Sequence, residues 1–270
     1  MLPTPGAAAT PPIGVFDSGV GGLSVLRAVH RLLPGVPLHY VADSGYAPYG
    51  ERGDDYVIAR SRHLTEFFRS AGARVIVIAC NTATAAASRD LRERYPDTAF
   101  VGVEPGLKPA VGLSHNGQVG VLATGGTLRS EKFRKLLASF EGQARFHLQP
   151  CPGLAHAIEQ GDLASAALRD LVASHCQPLR EAGVDTVVLG CTHYPFVAPL
   201  IQQALGPGVR LIDTAEPVAR QTVTQFVKMH GALPERPVQP VRAYTSGEVA
   251  VLQRIAAQWL DFDVAVQALP

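Results

Sequence analysis

The chain has 270 residues, 47% of them hydrophobic and 17% charged, enough for one large or two ordinary domains around a buried core. A net charge of +1, with no basic run and no aromatic-basic stripe, gives no nucleic-acid signal, and the longest apolar runs, 75–80 and 187–189, are too short to span a membrane. The four cysteines, Cys80, Cys151, Cys176 and Cys191, form no CxxC pair, which argues against a zinc site and, without an export signal, against a disulfide framework.

Residues 1–12 are rich in Pro, Ala and Thr and read as a flexible tail rather than a signal peptide, so the cytoplasm is the expected location. Short β-branched runs then alternate with helical stretches. Strands are predicted at 13–16, 38–42, 75–79 and 100–103, and helices at 23–33, 54–71 and 82–94; Pro105 and Pro109 break the pattern. A second set has strands at 118–122, 144–149, 186–190 and 209–212. Its helices are predicted at 130–140, 163–181 (interrupted or bent near Pro178), 197–204 and 217–229. A strand at 241–244 and a short helix at 249–259 close the chain. Near-continuous apolar strands between helices imply parallel sheets covered on both faces.

The two sets resemble each other. Residues 69–80, ending in Ala-Cys80, align without gaps to residues 180–191, ending in Gly-Cys191, at an offset of 111. Gly14-Val-Phe-Asp-Ser-Gly19 aligns to Gly120-Val-Leu-Ala-Thr-Gly125 at an offset of 106, so Ser18 matches Thr124 while Asp17 matches Ala123. A helix–Gly–strand unit is common in itself. The matched cysteines at the strand ends favour duplication.

In open α/β sheets ligands bind beyond the carboxyl ends of the strands. Cys80 and Cys191 each sit there, one per half. Both are expected near a helix start, where a thiol pKa falls below its usual value of about 8.5. If the halves pack about a pseudo-two-fold axis, the thiols converge on one ligand from opposite sides. That arrangement suits inversion of a carbon stereocentre, one group removing a proton while the other returns one. Asp17, beside Cys80, and His193, two residues beyond Cys191, are candidates to tune the thiols. Ser18, Asn81, Thr82 and Thr192 offer donors for a substrate carboxylate and an enolate-like transition state.

The Gly-rich loop 17–22 and Asp43, after the second strand, invite a dinucleotide-binding reading. The fingerprint would need Gly at the position of Ser24, and Asp17 would repel a pyrophosphate. A nest for a small carboxylate fits the loop better.

Four segments carry a resemblance: residues 14–26, Pro48-Tyr49-Gly50, Ile78-Ala-Cys-Asn-Thr-Ala-Thr-Ala85 and Leu189-Gly-Cys-Thr-His-Tyr-Pro195. Together they resemble the glutamate racemase family, within the aspartate/glutamate racemase superfamily, from Ile13 to about Leu260. Weaker support comes from 102–106, Cys151-Pro152 and 211–213.

The resemblance implies interconversion of L- and D-glutamate without a cofactor or metal, supplying D-glutamate for bacterial peptidoglycan. It implies substrate contacts at Asp17, Ser18, Tyr49, Gly50, Asn81, Thr82, Thr192 and His193. Cys80 would take the proton from D-glutamate and Cys191 from L-glutamate. Glu159 matches a family carboxylate near the site, although its sequence fits a solvated helix-end residue equally well, and Cys151 matches a structural position. Tyr46 stands where a basic residue is frequent, and His156-Ala157 where a Pro-Leu pair is common.

The expected architecture is two doubly wound α/β domains with parallel sheets, related by pseudo-two-fold symmetry, with the active site in the cleft between them. The first comprises 13–103 and 211–270 and the second 104–210, the return near 211 being implied by the resemblance. Glutamate is the expected partner, with no nucleic acid and no membrane, and a homodimer is left open. The alternatives are the same chemistry on aspartate or another amino acid, or a non-catalytic module that binds a carboxylate or a nucleotide.

Overall fold

The computed structural model describes residues 10–234 and 237–270. Most of the expected N-terminal tail, residues 1–9, lies outside the described residues. The first set of elements is β1 (Ile13–Asp17), α1 (Leu23–Leu32), β2 (Leu38–Ala42), α2 (Asp54–Ser70), β3 (Val75–Ile78), α3 (Asn81–Arg94) and β4 (Ala99–Gly102). After α4 (Leu107–Leu113) the second set opens with β5 (Gln118–Ala123), α5 (Gly125–Arg129), α6 (Glu131–Ala138), β6 (Arg145–Pro150) and α7 (Leu154–Glu159). It continues with α8 (Ala166–Glu181), β7 (Thr186–Gly190), α9 (Ala198–Leu205) and β8 (Arg210–Ile212). Last come α10 (Ala215–His230), β9 (Val241–Thr245), α11 (Val249–Trp259) and β10 (Val264–Ala268).

Among the described residues ten strands make two wholly parallel sheets, ordered β10-β9-β2-β1-β3-β4 and β6-β5-β7-β8. The segment β2-β1-β3-β4 of the first has the same order as the whole of the second. The register repeats as well. Gly14 pairs with Ile76, and the residues at the sequence offsets, Gly120 and Val187, also pair. The central strands β1, β3 and β7 are buried along their whole length, which is why they read as unbroken apolar runs.

One face of the first sheet packs on α2 and α3 around Phe16, Leu64, Phe68 and Ile76. One face of the second packs on α4 and α6 around Leu107, Val121 and Phe133. A single further apolar cluster joins the lobes, running from Val15 and Leu26 to Leu122, Val187 and Leu189. Burial of this shared surface, at about 25 cal/mol per Å² of apolar area, holds the two sheets together.

Several boundaries differ from the sequence expectation. Strand β8 pairs with β7, so Leu211 lies inside the second sheet and the return to the first lobe comes after Ile212. From there α10 packs on α1, β3 and β4. We therefore divide the chain into lobes 13–103 plus 213–270, and 104–212. Helix α8 runs through Pro178 without interruption. The expected helix 130–140 is α6, slightly shortened, and an additional short helix, α5, precedes it; Ser130, with extended backbone (ψ 145°), ends α5 and caps α6. The Ser130 Oγ accepts from Phe133 N at 3.1 Å. Helix α4 forms despite Pro109, because that residue sits in the first turn, where no intrahelical N–H is lost.

Two glycines at equivalent positions of the repeat mark close approaches of strand and helix. A Cβ on Gly14 would lie 2.5 Å from the Phe68 ring, and one on Gly120 would lie 2.9 Å from Leu179 Cδ1. Phe68 and Leu179 are themselves related by the offset of 111. The ring cannot bend aside, whereas a leucine methyl can. Gly14→Ala should therefore destabilise the protein by about 1–3 kcal/mol, and Gly120→Ala by less. Denaturation midpoints of the two variants measure this; an unchanged midpoint for Gly14→Ala would show that the close approach imposes no constraint.

Candidate active site

The carboxyl ends of β1, β3 and β7 bring the predicted residues together. Asp17 ends β1 with no solvent exposure, Cys80 follows β3, and Cys191 follows β7. Both thiols are buried and both line one cavity of about 490 Å³. Asp17, Ser18, Tyr49, Gly50, Asn81, Thr82, Thr192 and His193 line the same cavity. Every residue expected to contact a ligand is thus gathered there, and Glu159 stands directly behind His193.

Cys80 caps α3: its Sγ accepts from Ala83 N at 3.5 Å and lies 3.8 Å from Ser18 Oγ, to which the thiol can donate. The expected fall in its pKa does not occur. Burial pushes the Cys80 thiol well above its ordinary value, and the Asp17 carboxyl adds to this. The Ala83 N–H and Ser18 oppose the rise without reversing it. Cys191 lacks the expected helix start altogether, because a short 3-10 turn, Tyr194–Val197, separates it from α9.

What Cys191 has instead is His193. Its Nδ1 lies 3.6 Å from Cys191 Sγ, and its Nε2 lies 2.5 Å from Glu159 Oε1. Burial works against a charged imidazole here, but the hydrogen bonds and charges of Cys191 and Glu159 outweigh it. The His193 pKa is held well above the usual histidine value. Glu159 is a buried-site residue rather than a solvated helix end. Its carboxylate also accepts from Val20 N at 2.6 Å and from Ser44 Oγ at 3.3 Å.

The glycine-rich loop therefore does hold a small carboxylate, and that carboxylate is the chain's own. A Cβ on Gly19 would fall 1.9 Å from Glu159 Oε1, so only glycine leaves it room. On the opposite side, Asp17 Oδ1 accepts from Ser18 N at 2.6 Å and Oδ2 from Thr192 Oγ1 at 3.0 Å. Burial raises the Asp17 pKa, partly offset by His193 and by hydrogen bonds from Cys80 and Thr192. Asn81 Nδ2 is buried with no partner among the described residues and remains free to donate.

Asp43 is unavailable to a ribose, which removes the dinucleotide reading. It is fully buried and accepts from Arg60 at 2.9 and 2.8 Å, Tyr49 Oη at 2.5 Å and Ser246 Oγ at 2.8 Å. The Tyr49 hydroxyl is thus spent within the protein, and other atoms of Tyr49 face the cavity. Tyr46 carries the Arg60 guanidinium 3.5 Å above its ring, so positive charge still stands beside this position.

The cavity wall also includes residues that sequence reasoning did not place in the site, chiefly Thr124, Arg129, Cys151 and His156. Thr124 was marked by the repeat as the mate of Ser18, and its Oγ1 lies 3.1 Å from that of Thr82. Arg129 and His156 lie on short helices with no periodic signal. Burial pushes the Cys151 thiol up to about 12, in keeping with a structural position at the wall. Among the described residues no group of three or more His, Cys, Asp or Glu side chains is arranged to hold a metal ion, and no helix is long and apolar enough to cross a membrane.

A family model described as Asp/Glu/hydantoin racemase matches residues 13–222. The glutamate racemase of Pseudomonas putida strain F1 is 50% identical over 244 residues, covering 90% of this chain and 92% of that protein. That of Pseudomonas entomophila is 49% identical over 260 residues, covering 96% and 97%. The structure is similar to a glutamate racemase isoform from Bacillus anthracis, with 32% identity, a TM-score of 0.86, and coverage of 97% and 98%. It is also similar to the Escherichia coli glutamate racemase in complex with L-glutamate and the activator UDP-MurNAc-Ala, with 30% identity, a TM-score of 0.85, and coverage of 96% and 98%.

The raised His193 pKa carries a stability consequence. Relative to an unfolded value near 6.5, its contribution is fully present below about pH 6.5 and is lost as the pH rises through the folded-state value. Glu159→Gln removes one of the two groups that hold the imidazolium. The His193 titration followed by NMR should move down, and the thermal midpoint should fall more at pH 6 than at pH 9. An unmoved imidazole titration in the variant would contradict the assigned cause.

Proposed function

The chain belongs to the Asp/Glu/hydantoin racemase family, and we propose that it acts there as a glutamate racemase through two thiols, Cys80 and Cys191, facing one substrate. The observation that carries the mechanism is that both buried thiols, from equivalent strand ends of a repeated sheet, line a single cavity. A reaction that removes a proton from one face of Cα and returns one to the other needs two groups so placed.

In the L-to-D direction, Cys191 as thiolate takes the α-proton and becomes a thiol. The electron pair left on Cα is delocalised into the carboxylate. Cys80 then gives its proton to the opposite face and is left as thiolate. The reverse direction starts from the opposite protonation of the pair. The electrostatics support this assignment: the surroundings of Cys80 favour its protonated form, while the cationic form of His193 stands beside Cys191. Asn81, Thr82 and Thr192 are placed to hold the substrate carboxylate, and Asp17 to hold its ammonium group. Ser18 supports Cys80, and Glu159 keeps His193 charged and aimed. Tyr49 and Gly50 form the wall for the side chain.

D-Glutamate made this way supplies bacterial peptidoglycan synthesis. The same reading puts the enzyme in the cytoplasm, supported by four unpaired thiols. It also includes a homodimer, supported by exposed Leu32 and Leu233 on one surface groove and tested by light scattering.

Purified protein, dialysed against chelator and free of pyridoxal absorbance, should racemise glutamate. Aspartate, one methylene shorter, would misplace its Cα between the thiols and should turn over about 100-fold more slowly. Activity that returns only with a metal or pyridoxal phosphate would defeat the two-thiol mechanism, and comparable turnover of aspartate would defeat the substrate assignment.

The two faces can be tested separately. Cys80→Ser and Cys191→Ser should both lose most racemisation, because a hydroxyl is a far weaker acid than a thiol. Elimination of chloride from a β-chloro glutamate analogue needs only one base. Cys80→Ser should keep it for the L-analogue and Cys191→Ser for the D-analogue. Equal loss of both enantiomers in both variants would rule out face-specific bases.

A further inference from the structure

Among the described residues that line the cavity, Arg129 is the one permanent cation; the remaining titratable groups include the acids Asp17 and Glu51 and the imidazoles of His156 and His193. Arg129 is exposed where it ends α5, at the solvent side of the cavity rather than beside the buried thiols. Its guanidinium leans back along the helix: a Cβ on Gly125 would stand 2.7 Å from Nη1. It is thereby drawn towards the end of α5 where Thr124 meets Gly50.

Arg129 makes no hydrogen bond or ion pair among the described residues. This contrasts with Arg60, Arg62, Arg69 and Arg220, each matched to a carboxylate. A guanidinium is always charged and presents a planar fork that fits a carboxylate. Here the fork is uncommitted, and it lies on the wall of a cavity whose substrate, on the reading above, brings two carboxylates and one ammonium group. A single fixed charge at the mouth of a cleft raises the local concentration of oppositely charged ligand and speeds its capture.

We propose that Arg129 captures the side-chain carboxylate of the incoming amino acid at the cavity mouth, selecting dicarboxylic over neutral amino acids before they reach the thiols. This role rests on the glutamate reading. The group acts before the chemical step, so its loss belongs in KM rather than in kcat. It is also screened by salt, because at about 0.15 M the reach of an exposed charge shrinks to about 8 Å.

The test compares wild type, Arg129→Met and Arg129→Lys with L-glutamate at graded sodium chloride concentrations. At low salt Arg129→Met should lower kcat/KM roughly three- to tenfold through KM, consistent with capture by a charged cleft. Its kcat/KM should then vary less with salt than that of wild type, and Arg129→Lys should restore most of both effects. An active wild type matched by Arg129→Met at every salt concentration would overturn the capture role alone. A loss confined to kcat would also overturn it, by placing the residue in the chemical step. A wild type inert towards glutamate would remove the substrate reading, and the capture role with it.

Discussion

One carboxylate ties the site together. Glu159 comes from the second lobe, at the end of α7, yet two of its three partners, Val20 N and Ser44 Oγ, belong to the first. The third, His193, connects it to Cys191. A largely buried carboxylate is costly unless its lone pairs are satisfied, and here three donors from both lobes satisfy them. The carboxylate that bridges the lobes is therefore also the one that aims the imidazole. Asp17 completes the circuit in the other direction, a first-lobe carboxyl receiving the Thr192 hydroxyl of the second. Each lobe lends the other an acid, and each acid would lose its cross-lobe partners, Val20 and Ser44 for Glu159 and Thr192 for Asp17, if the lobes stood apart.

The repeat explains both the likeness and the difference of the two thiols. Strand order, register and the glycine–side-chain contacts of Gly14 and Gly120 recur in the two sheets. That sameness delivers two cysteines to matching strand ends. The neighbours have diverged: Asp17 corresponds to Ala123, and His193 to Thr82. One thiol consequently lies near an acid, which adds to the rise in its pKa, and the other beside an imidazole held in its charged form. Duplication supplies the geometry for a two-faced reaction, and local substitution gives the two thiols different surroundings.

Much of this was legible in the sequence, because buried parallel strands write themselves as unbroken apolar runs and repeats preserve spacing. The short elements were not. Helices α4, α5 and α7 span seven, five and six residues, too few for a helical period to declare itself. Strand β10 is a short, largely exposed edge. The site residues were readable as types at strand ends, but their electrostatics were not. Proximity to a helix start predicted a lowered Cys80 pKa, whereas burial, which a sequence does not display, raised it. Glu159 looked as much like a surface residue as a functional one, since its partners lie 139, 115 and 34 positions away in the chain.

The same burial that raises the Cys80 pKa also serves the proposed chemistry. A carbanion at Cα needs a site from which bulk water is excluded, so that fixed donors such as Asn81 Nδ2 act at low dielectric. Water exclusion inevitably disfavours a resting thiolate. The network of Asp43, Arg60, Tyr49 and Ser246 hardens one wall of the cavity without placing its charges in it, because its members satisfy one another. Under the proposed mechanism the missing counter-charge for a Cys80 thiolate arrives with the substrate, whose ammonium group would stand beside Asp17. Thiolate formation on that side is then favoured by occupancy of the site.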